Sequence, residues 1–348
     1  MVIDSKDLGN PTAPGEAGGR AAPPAVSVLM SVRNGMPYVR ETIDSIVGQT
    51  FADWEMVIVD NASEDDTARY VERRAKDEPR IVLLRNAVDL GICRSLNRGL
   101  ATCRGRWIAR IDGDDRALPQ RLERQLAFVR ENPGVRVASC LAYYIDPSGR
   151  RVGKTVHDLT SPAAFQRYIA ANRAIGILHP GTIIDRDILS RVGGYRHEFY
   201  PAEDIDLWAR IADAGAMILV QPELLMEYRV HGRSIMARSF AAAHEKHQWA
   251  EACMRARRVG QPEPTWSEFQ ATRDRLPWLR RLASWREATG RRLYRHAAYQ
   301  FISGELFGAA LRFAAAASLR PTYALTRLRS QMLPRRDAEG GVSSHLGG

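Results

Sequence analysis

The sequence predicts an α/β protein with a mostly parallel sheet, followed by a C-terminal helical region. Three observations carry this prediction. Short apolar runs that read as buried strands recur from Ala25 onward and alternate with helically spaced segments. That alternation builds crossover units and a parallel sheet. Polar residues follow the first, second and fourth runs, at the edge where such sheets bind ligands. The last third turns Ala- and Arg-rich with helical periodicity, broken by Pro262, Pro264 and Pro277.

Taken in order, Val26-Ser27-Val28-Leu29-Met30 lies between Pro24 and Arg33-Asn34-Gly35, a buried strand running into a Gly turn. Val39, Ile43, Ile46 and Val47 then recur at helical spacing, and Trp54 to Asp60 is a second strand. Asn61-Ala62-Ser63 turns the chain into a helix that starts near Asp65 and runs to about Ala75. Ile81 to Leu84 is a third strand, Leu96 to Ala101 the start of a helix, and Arg106 to Ala109 a fourth strand. Asp112-Gly113-Asp114-Asp115 follows directly. Alternate residues of an extended segment point the same way, so Asp112 and Asp114 can converge on one hard cation. Asp and Gly also build ordinary turns. Leu118–Val129 has a helical pattern, His179-Pro180-Gly181 is a turn before the strand Thr182-Ile183-Ile184, and Glu203-Asp204 opens an amphipathic helix. Acids are favoured there by the helix dipole alone. Glu227 to Val230 alternates like a strand and ends at His231.

The 348 residues suit one large or two modest domains. Their net charge of +10 is unevenly placed: residues 238–348 hold 19 Lys/Arg and 9 Asp/Glu, residues 1–237 hold 31 of each. A neutral front and a basic back read as a catalytic unit joined to a surface-seeking one, with nucleic acid or an anionic membrane face as partner. The expected division is a disordered tail over 1–24, a catalytic domain over 25–237, a basic helical region over 238–335 and a flexible tail over 336–348. The N-terminus lacks the basic start and apolar block of a secretory signal, and no apolar run approaches a membrane span. Cys93, Cys103, Cys140 and Cys253 have no paired spacing, which points to a reduced, cytoplasmic chain without a zinc site. Neither GxGxxG nor GxxxxGK[ST] follows the first strand, which argues against dinucleotide and P-loop chemistry.

One family carries these blocks in this order. The runs Val26 to Gly35, Gln49-Thr50-Phe51, Val57 to Ser63, Asp66-Thr67, Asn97 to Leu100, Ile108 to Asp115 and Leu118 to Leu122 resemble the family-two inverting glycosyltransferases with the GT-A (Rossmann-like) fold. The resemblance continues through His179-Pro180-Gly181-Thr182, Val192 to Arg196, Glu203 to Trp208 and Tyr228 to His231, covering roughly residues 25–235. Each block is weak alone, and together they are specific. Arg33 stands where the family often has an aromatic residue, and Asn61-Ala62 where it more often has Asp-Gly.

The resemblance implies a nucleotide-sugar donor, probed by Ser31, Arg33, Asn34, Asp60, Ser63 and Asp112. It implies Mg2+ or Mn2+ held by Asp112 and Asp114, and an imidazole such as His231 can complete that oxygen-rich shell. Arg229 or Arg233 is placed to fork onto the diphosphate. Asp204 is implied as general base, with Glu203 its rival. The expected reaction is metal-dependent, inverting transfer from a nucleoside-diphosphate donor, a UDP-sugar, to a hydroxyl of a glycan or lipid-linked acceptor in surface polysaccharide synthesis. The basic C-terminal region would bring the chain peripherally to the inner, anionic face of the cell membrane. Two alternatives stand beside this. A sugar nucleotidylyltransferase needs a Gly-rich basic loop after the first strand, and Ser31-Val32-Arg33-Asn34-Gly35 is poor in both. A non-catalytic nucleic-acid- or membrane-binding protein has no need for acids at three element ends, so nucleic acid is the disfavoured partner.

Overall fold

The structure is a computed structural model and describes residues 2–3, 22–231, 240–302 and 305–322. Most of the expected N-terminal tail, all of 336–348, and Arg233 lie outside the described residues.

The described strands are β1 (Val2–Ile3), β2 (Val26–Val32), β3 (Trp54–Asp60), β4 (Ile81–Arg85), β5 (Trp107–Arg110), β6 (Arg116–Ala117), β7 (Val135–Ile145), β8 (Arg151–Lys154), β9 (Ile183–Asp185) and β10 (Met217–Arg229). They form one sheet in the order β1-β4-β3-β2-β5-β9-β7-β10-β6, with β8 paired to β7. The pairs β4–β3, β3–β2 and β2–β5 are parallel, and β9 runs antiparallel between β5 and β7. Strand order reverses at β2, between β3 and β5. This is the switch point where an open α/β sheet leaves a crevice beyond its strand ends.

The first strands hold because their apolar residues are buried on both faces: Val28, Leu29, Met30, Met56, Val57, Ile58 and Val59 are all fully buried. Helices α1 (Val39–Val47), α2 (Thr67–Asp77) and α3 (Gly91–Thr102) cross between them. Helix α3 begins five residues before the predicted Leu96. Asp89 Oδ1 accepts the Gly91 N–H and Asn61 Oδ1 that of Leu90, so the end of β3 anchors its first turn. Helix α4 (Arg121–Glu131) begins later than Leu118, because Arg116–Ala117 pairs with β10 and the Leu118 N–H bonds to Leu225 O. The long strand β7 and the helix α5 (Pro162–Ala170) have no counterpart among the sequence expectations.

The chain forms two compact units, Met1–Leu276 and Pro277–Gly348. The first unit continues past residue 237. Beyond α6 (Arg186–Arg191) and α7 (Glu203–Asp213) it includes α8 (Phe240–Arg258) and α9 (Trp266–Asp274). Trp249 stacks on Phe199 with ring centroids 4.0 Å apart and donates its indole N–H to Pro264 O. Arg257 and Arg258 both bond to Asp213, and Arg257 also to Glu263. The second unit contains α10 (Trp278–Ile302) and α11 (Leu306–Leu319), which pair so that Gly290 lies near Leu319 and Gly308 near Gln300. Among the described residues no helix is long and apolar enough to cross a membrane. The four cysteines are buried and unpaired.

Candidate active site

The loop after β5 gathers carboxylates. Ligand oxygens of Asp112, Asp114 and Asp115 all lie within 4.8 Å of one another. Each acid has a different partner. Asp112 Oδ1 accepts from the Arg110 guanidinium at 2.6 Å. Arg110 ends β5, is fully buried, and also donates to Ile111 O. Burial pushes the Asp112 carboxyl above its usual range, and the Arg110 charge opposes that push. Asp114 Oδ2 lies 2.8 Å from His231 Nε2, just beyond the end of β10.

Asp115 belongs to the framework. It is fully buried, its Oδ1 accepts the Arg229 N–H at 2.8 Å, and its carbonyl accepts from Thr42 Oγ1 at 2.7 Å. Burial, with Asp114 and Asp112 alongside, pushes its carboxyl well above the ordinary value. Arg229 is also structural. Its buried guanidinium donates to the carbonyls of Asp114, Asp146 and Pro147 and to Glu41. Every arm of it is thus already engaged, Nε by the acid loop, one Nη by the turn after β7 and the other by Glu41 of α1, which leaves no free fork for a diphosphate.

Asp60 ends β3, one strand from β2. It is 2 % exposed; Oδ1 has no partner, and Oδ2 accepts only a long 3.4 Å bond from the Ser63 N–H. A buried, unpartnered acceptor costs free energy unless a ligand donates to it. Asn34 and Ser63 tie the loops after β2 and β3 together. The Asn34 N–H donates to Ser63 Oγ, and the Glu64 N–H to Asn34 Oδ1. Arg33 is half-exposed at the rim, paired with Glu64 and Asp89. Ser31 is half-buried on β2, in register with Val59. Gly35 and Gly113 close on the same side chain: a Cβ on either would meet Val32 Cγ2, at 2.5 and 2.8 Å.

Glu203 and Asp204 are the first residues of α7, after Ala202, which supplies no side-chain cap. Glu203 is buried and its Oε2 has no partner; burial and the adjacent Asp204 push its carboxyl up to about 8. Asp204 accepts the Ile205 N–H at 2.8 Å, and burial raises its carboxyl too. Asp112 is among the charges that raise both acids, so the α7 pair and the β5 loop share one electrostatic neighbourhood.

Two side chains join this group without a strong sequence signal. Arg110 is the cation inside the acid cluster, and its one trace in the sequence is an Arg within the apolar stretch Trp107 to Ile111. His179, in the expected turn, lies 2.8 Å from Tyr195 Oη and edge-on to Trp208. Burial and Arg110 push its imidazole well below the usual range, so it is neutral at physiological pH.

The model of "Glycosyl transferase family 2" matches residues 27–193. The protein named "Putative glycosyltransferase EpsE" of Bacillus subtilis (strain 168) is 32% identical over 221 residues, covering 62% of this chain and 77% of that protein. The chain belongs to glycosyltransferase family 2. This family-2 chain is also 27% identical over 230 residues to the O-antigen biosynthesis glycosyltransferase WbnJ of Escherichia coli, covering 62% of this chain and 84% of WbnJ. Its relatives thus include one named for O-antigen biosynthesis.

Two solved structures share the architecture. The mannosyltransferase PcManGT from Pyrobaculum calidifontis, in complex with GDP-Man and Mn2+, aligns with a TM-score of 0.53 at 22% identity, over 88% of this chain and 79% of that one. TarS (1-349) of S. aureus, in complex with UDP-GlcNAc, aligns with a TM-score of 0.51 at 17% identity, over 88% and 92%. The fold of this family-2 glycosyltransferase is therefore GT-A, as the sequence blocks predicted.

Proposed function

We propose that this glycosyltransferase moves a sugar from a nucleoside-diphosphate donor, a UDP-sugar, to a hydroxyl of a glycan or lipid-linked acceptor, with divalent-metal assistance and inversion. The observation that carries this reading is the acid loop Asp112-Gly113-Asp114-Asp115, set after β5 at the switch point of the sheet with β2 between it and β3, whose last residue is Asp60 with its unpartnered Oδ1.

The residues present fit a hard cation. Carboxylate oxygens converge within 4.8 Å, and an imidazole nitrogen lies beside Asp114; such a set suits Mg2+ or Mn2+. Asp112, Asp114 and His231 are the proposed holders. A cation bound there neutralises the charge that builds on the departing diphosphate. Asp60 Oδ1 accepts a donor N–H from the nucleobase, the task its lone pairs are free for. The loop ties of Asn34 and Ser63 shape the base pocket, and Ser31 and Arg33 border it. Asp204 takes the acceptor hydroxyl proton as that oxygen attacks the anomeric carbon from the face opposite the diphosphate. The bond to the diphosphate breaks in the same displacement, and configuration inverts. Glu203, protonated over most of the physiological range, is suited to donate a hydrogen bond rather than to act as base. A lipid-linked acceptor would place the enzyme at the cytoplasmic face of an anionic membrane, reached through its basic C-terminal region.

The test is a panel of UDP- and GDP-sugars with Mn2+, Mg2+ or EDTA, read as nucleoside diphosphate release, with product anomeric configuration determined by NMR. Release that EDTA leaves untouched removes the metal role, and a retained configuration removes the single displacement.

A further inference from the structure

The basic excess of the C-terminal third divides unevenly once the two compact units are known. Residues 238–276 hold seven Lys/Arg and five Asp/Glu, and residues 277–348 hold twelve and four. Arginines of the first group are largely matched within their own unit: Arg257 and Arg258 with Asp213, Arg255 with Glu251, and Arg273 with Glu245. The surplus of positive charge therefore lies in the second unit.

There, the first half of α10 is unusual. Helix α11 ends beside Gly290, and before it every residue from Trp278 to Trp285 except Ser284 is exposed. Trp278 is 70 % exposed, Leu282 43 % and Trp285 56 %. Their spacing, i, i+4 and i+7, puts them on one helix stripe. Soluble surfaces seldom present two tryptophans and a leucine in a row without a partner. Arg281 and Arg286 flank the stripe, Arg292 extends it by two turns, and all three are exposed, with one arm of Arg286 also donating to Leu319 O at 3.3 Å. Glu287 is the one acid of α10, and it pairs with Arg291 and Arg320.

We propose that this stripe is the surface by which the chain docks on an anionic lipid bilayer, with Trp278, Leu282 and Trp285 entering the headgroup layer and Arg281, Arg286 and Arg292 meeting lipid phosphates. The inference deepens the lipid-linked-acceptor reading by supplying its docking surface. Charge selects the occupant. A second copy of the stripe would set arginine against arginine, whereas an anionic leaflet complements it. Each such cation near a charged surface adds to the attraction, and amphipathic Trp and Arg side chains suit the interface.

The experiment is co-sedimentation of the full chain with phosphatidylcholine vesicles, alone or with one-third phosphatidylglycerol, at about 0.1 M salt. The wild type should partition to the anionic vesicles at least about tenfold more strongly. Trp278→Ser with Trp285→Ser should lower that binding at least tenfold. Arg281→Gln with Arg292→Gln should remove most of the lipid preference and leave residual apolar binding. Circular dichroism, and nucleoside diphosphate release in solution, should stay within twofold of wild type for both variants. Because vesicle binding requires no turnover, loss of the donor-and-metal reading would leave this result readable. Equal binding to both vesicle types, or tryptophan variants that bind as wild type does, would overturn the proposal. So would a wild-type dimer that the tryptophan substitutions dissociate, which would give the stripe to a second copy. A melting temperature that collapses in those variants would give it to the chain's own packing.

Discussion

The two acidic groups of the catalytic unit are built in opposite ways. In the loop after β5, each carboxylate has a fixed neighbour, Arg110 for Asp112, His231 for Asp114 and the Arg229 N–H for Asp115, and only Asp115 keeps a buried oxygen without a partner. At the start of α7, Glu203 has an oxygen without a partner, and Asp204 is held by backbone N–H groups, that of Ile205 at 2.8 Å, with no charged side chain among the described residues bonded to it. A cation site works when its ligands wait in place, with their geometry set in advance. A proton acceptor needs a free lone pair and a raised basicity. On the proposed assignment, the α7 acids are wired mainly to backbone and the loop acids mainly to side chains, and this wiring rather than acidity separates the two proposed roles.

Substitutions can break that contrast. Asp114→Ala should have the largest effect, a loss of about a thousandfold in turnover with any divalent cation, since charge stabilisation by a metal is worth several kcal/mol. Nucleoside diphosphate release measures it, and wild-type-like turnover would take the metal-holding role from this loop. Next comes Asp204→Asn, expected to lower kcat about a hundredfold or more with little change in donor KM. Glu203→Gln should cost clearly less, and the reverse order would move the base role to Glu203.

Asp115→Ala sharpens the contrast from the structural side. It leaves the buried Arg229 N–H unpaired, so unfolding by denaturant should show a loss of about 1–3 kcal/mol. The smallest expected effect concerns pH. The Glu203 carboxyl is raised from 4.5 to about 8 in the folded chain. The folded state therefore holds a proton that the unfolded state gives up between those values, and stability falls as pH rises through that window. A neutral Gln removes the penalty. In EDTA, Glu203→Gln should melt about 2 °C or more above wild type at pH 9, and level with it near pH 4.

Legibility from sequence followed the range of the interactions. The strands β2 to β5 announce themselves by local apolar runs, and the acids at their ends were located by that pattern and the family blocks together. The antiparallel insertion of β9, the strand β7 and the return of β10 to β6 depend on pairings between distant residues, which no local period encodes. For the same reason Arg229 read as a free cation beside a histidine, and only the fold closes its guanidinium onto Asp114, Pro147 and Glu41. The helix Phe240–Arg258 looked like part of a basic appendage because composition cannot reveal that its arginines find Asp213.

The meeting of Gly35 and Gly113 on Val32 has a consequence for altering donor choice. One methyl group lies between the loop after β2 and the acid loop after β5. Enlarging or trimming Val32 should therefore shift both loops together and, on the proposed reading, rescale the donor cradle along its length. Changes meant to retune the sugar pocket alone are better placed elsewhere.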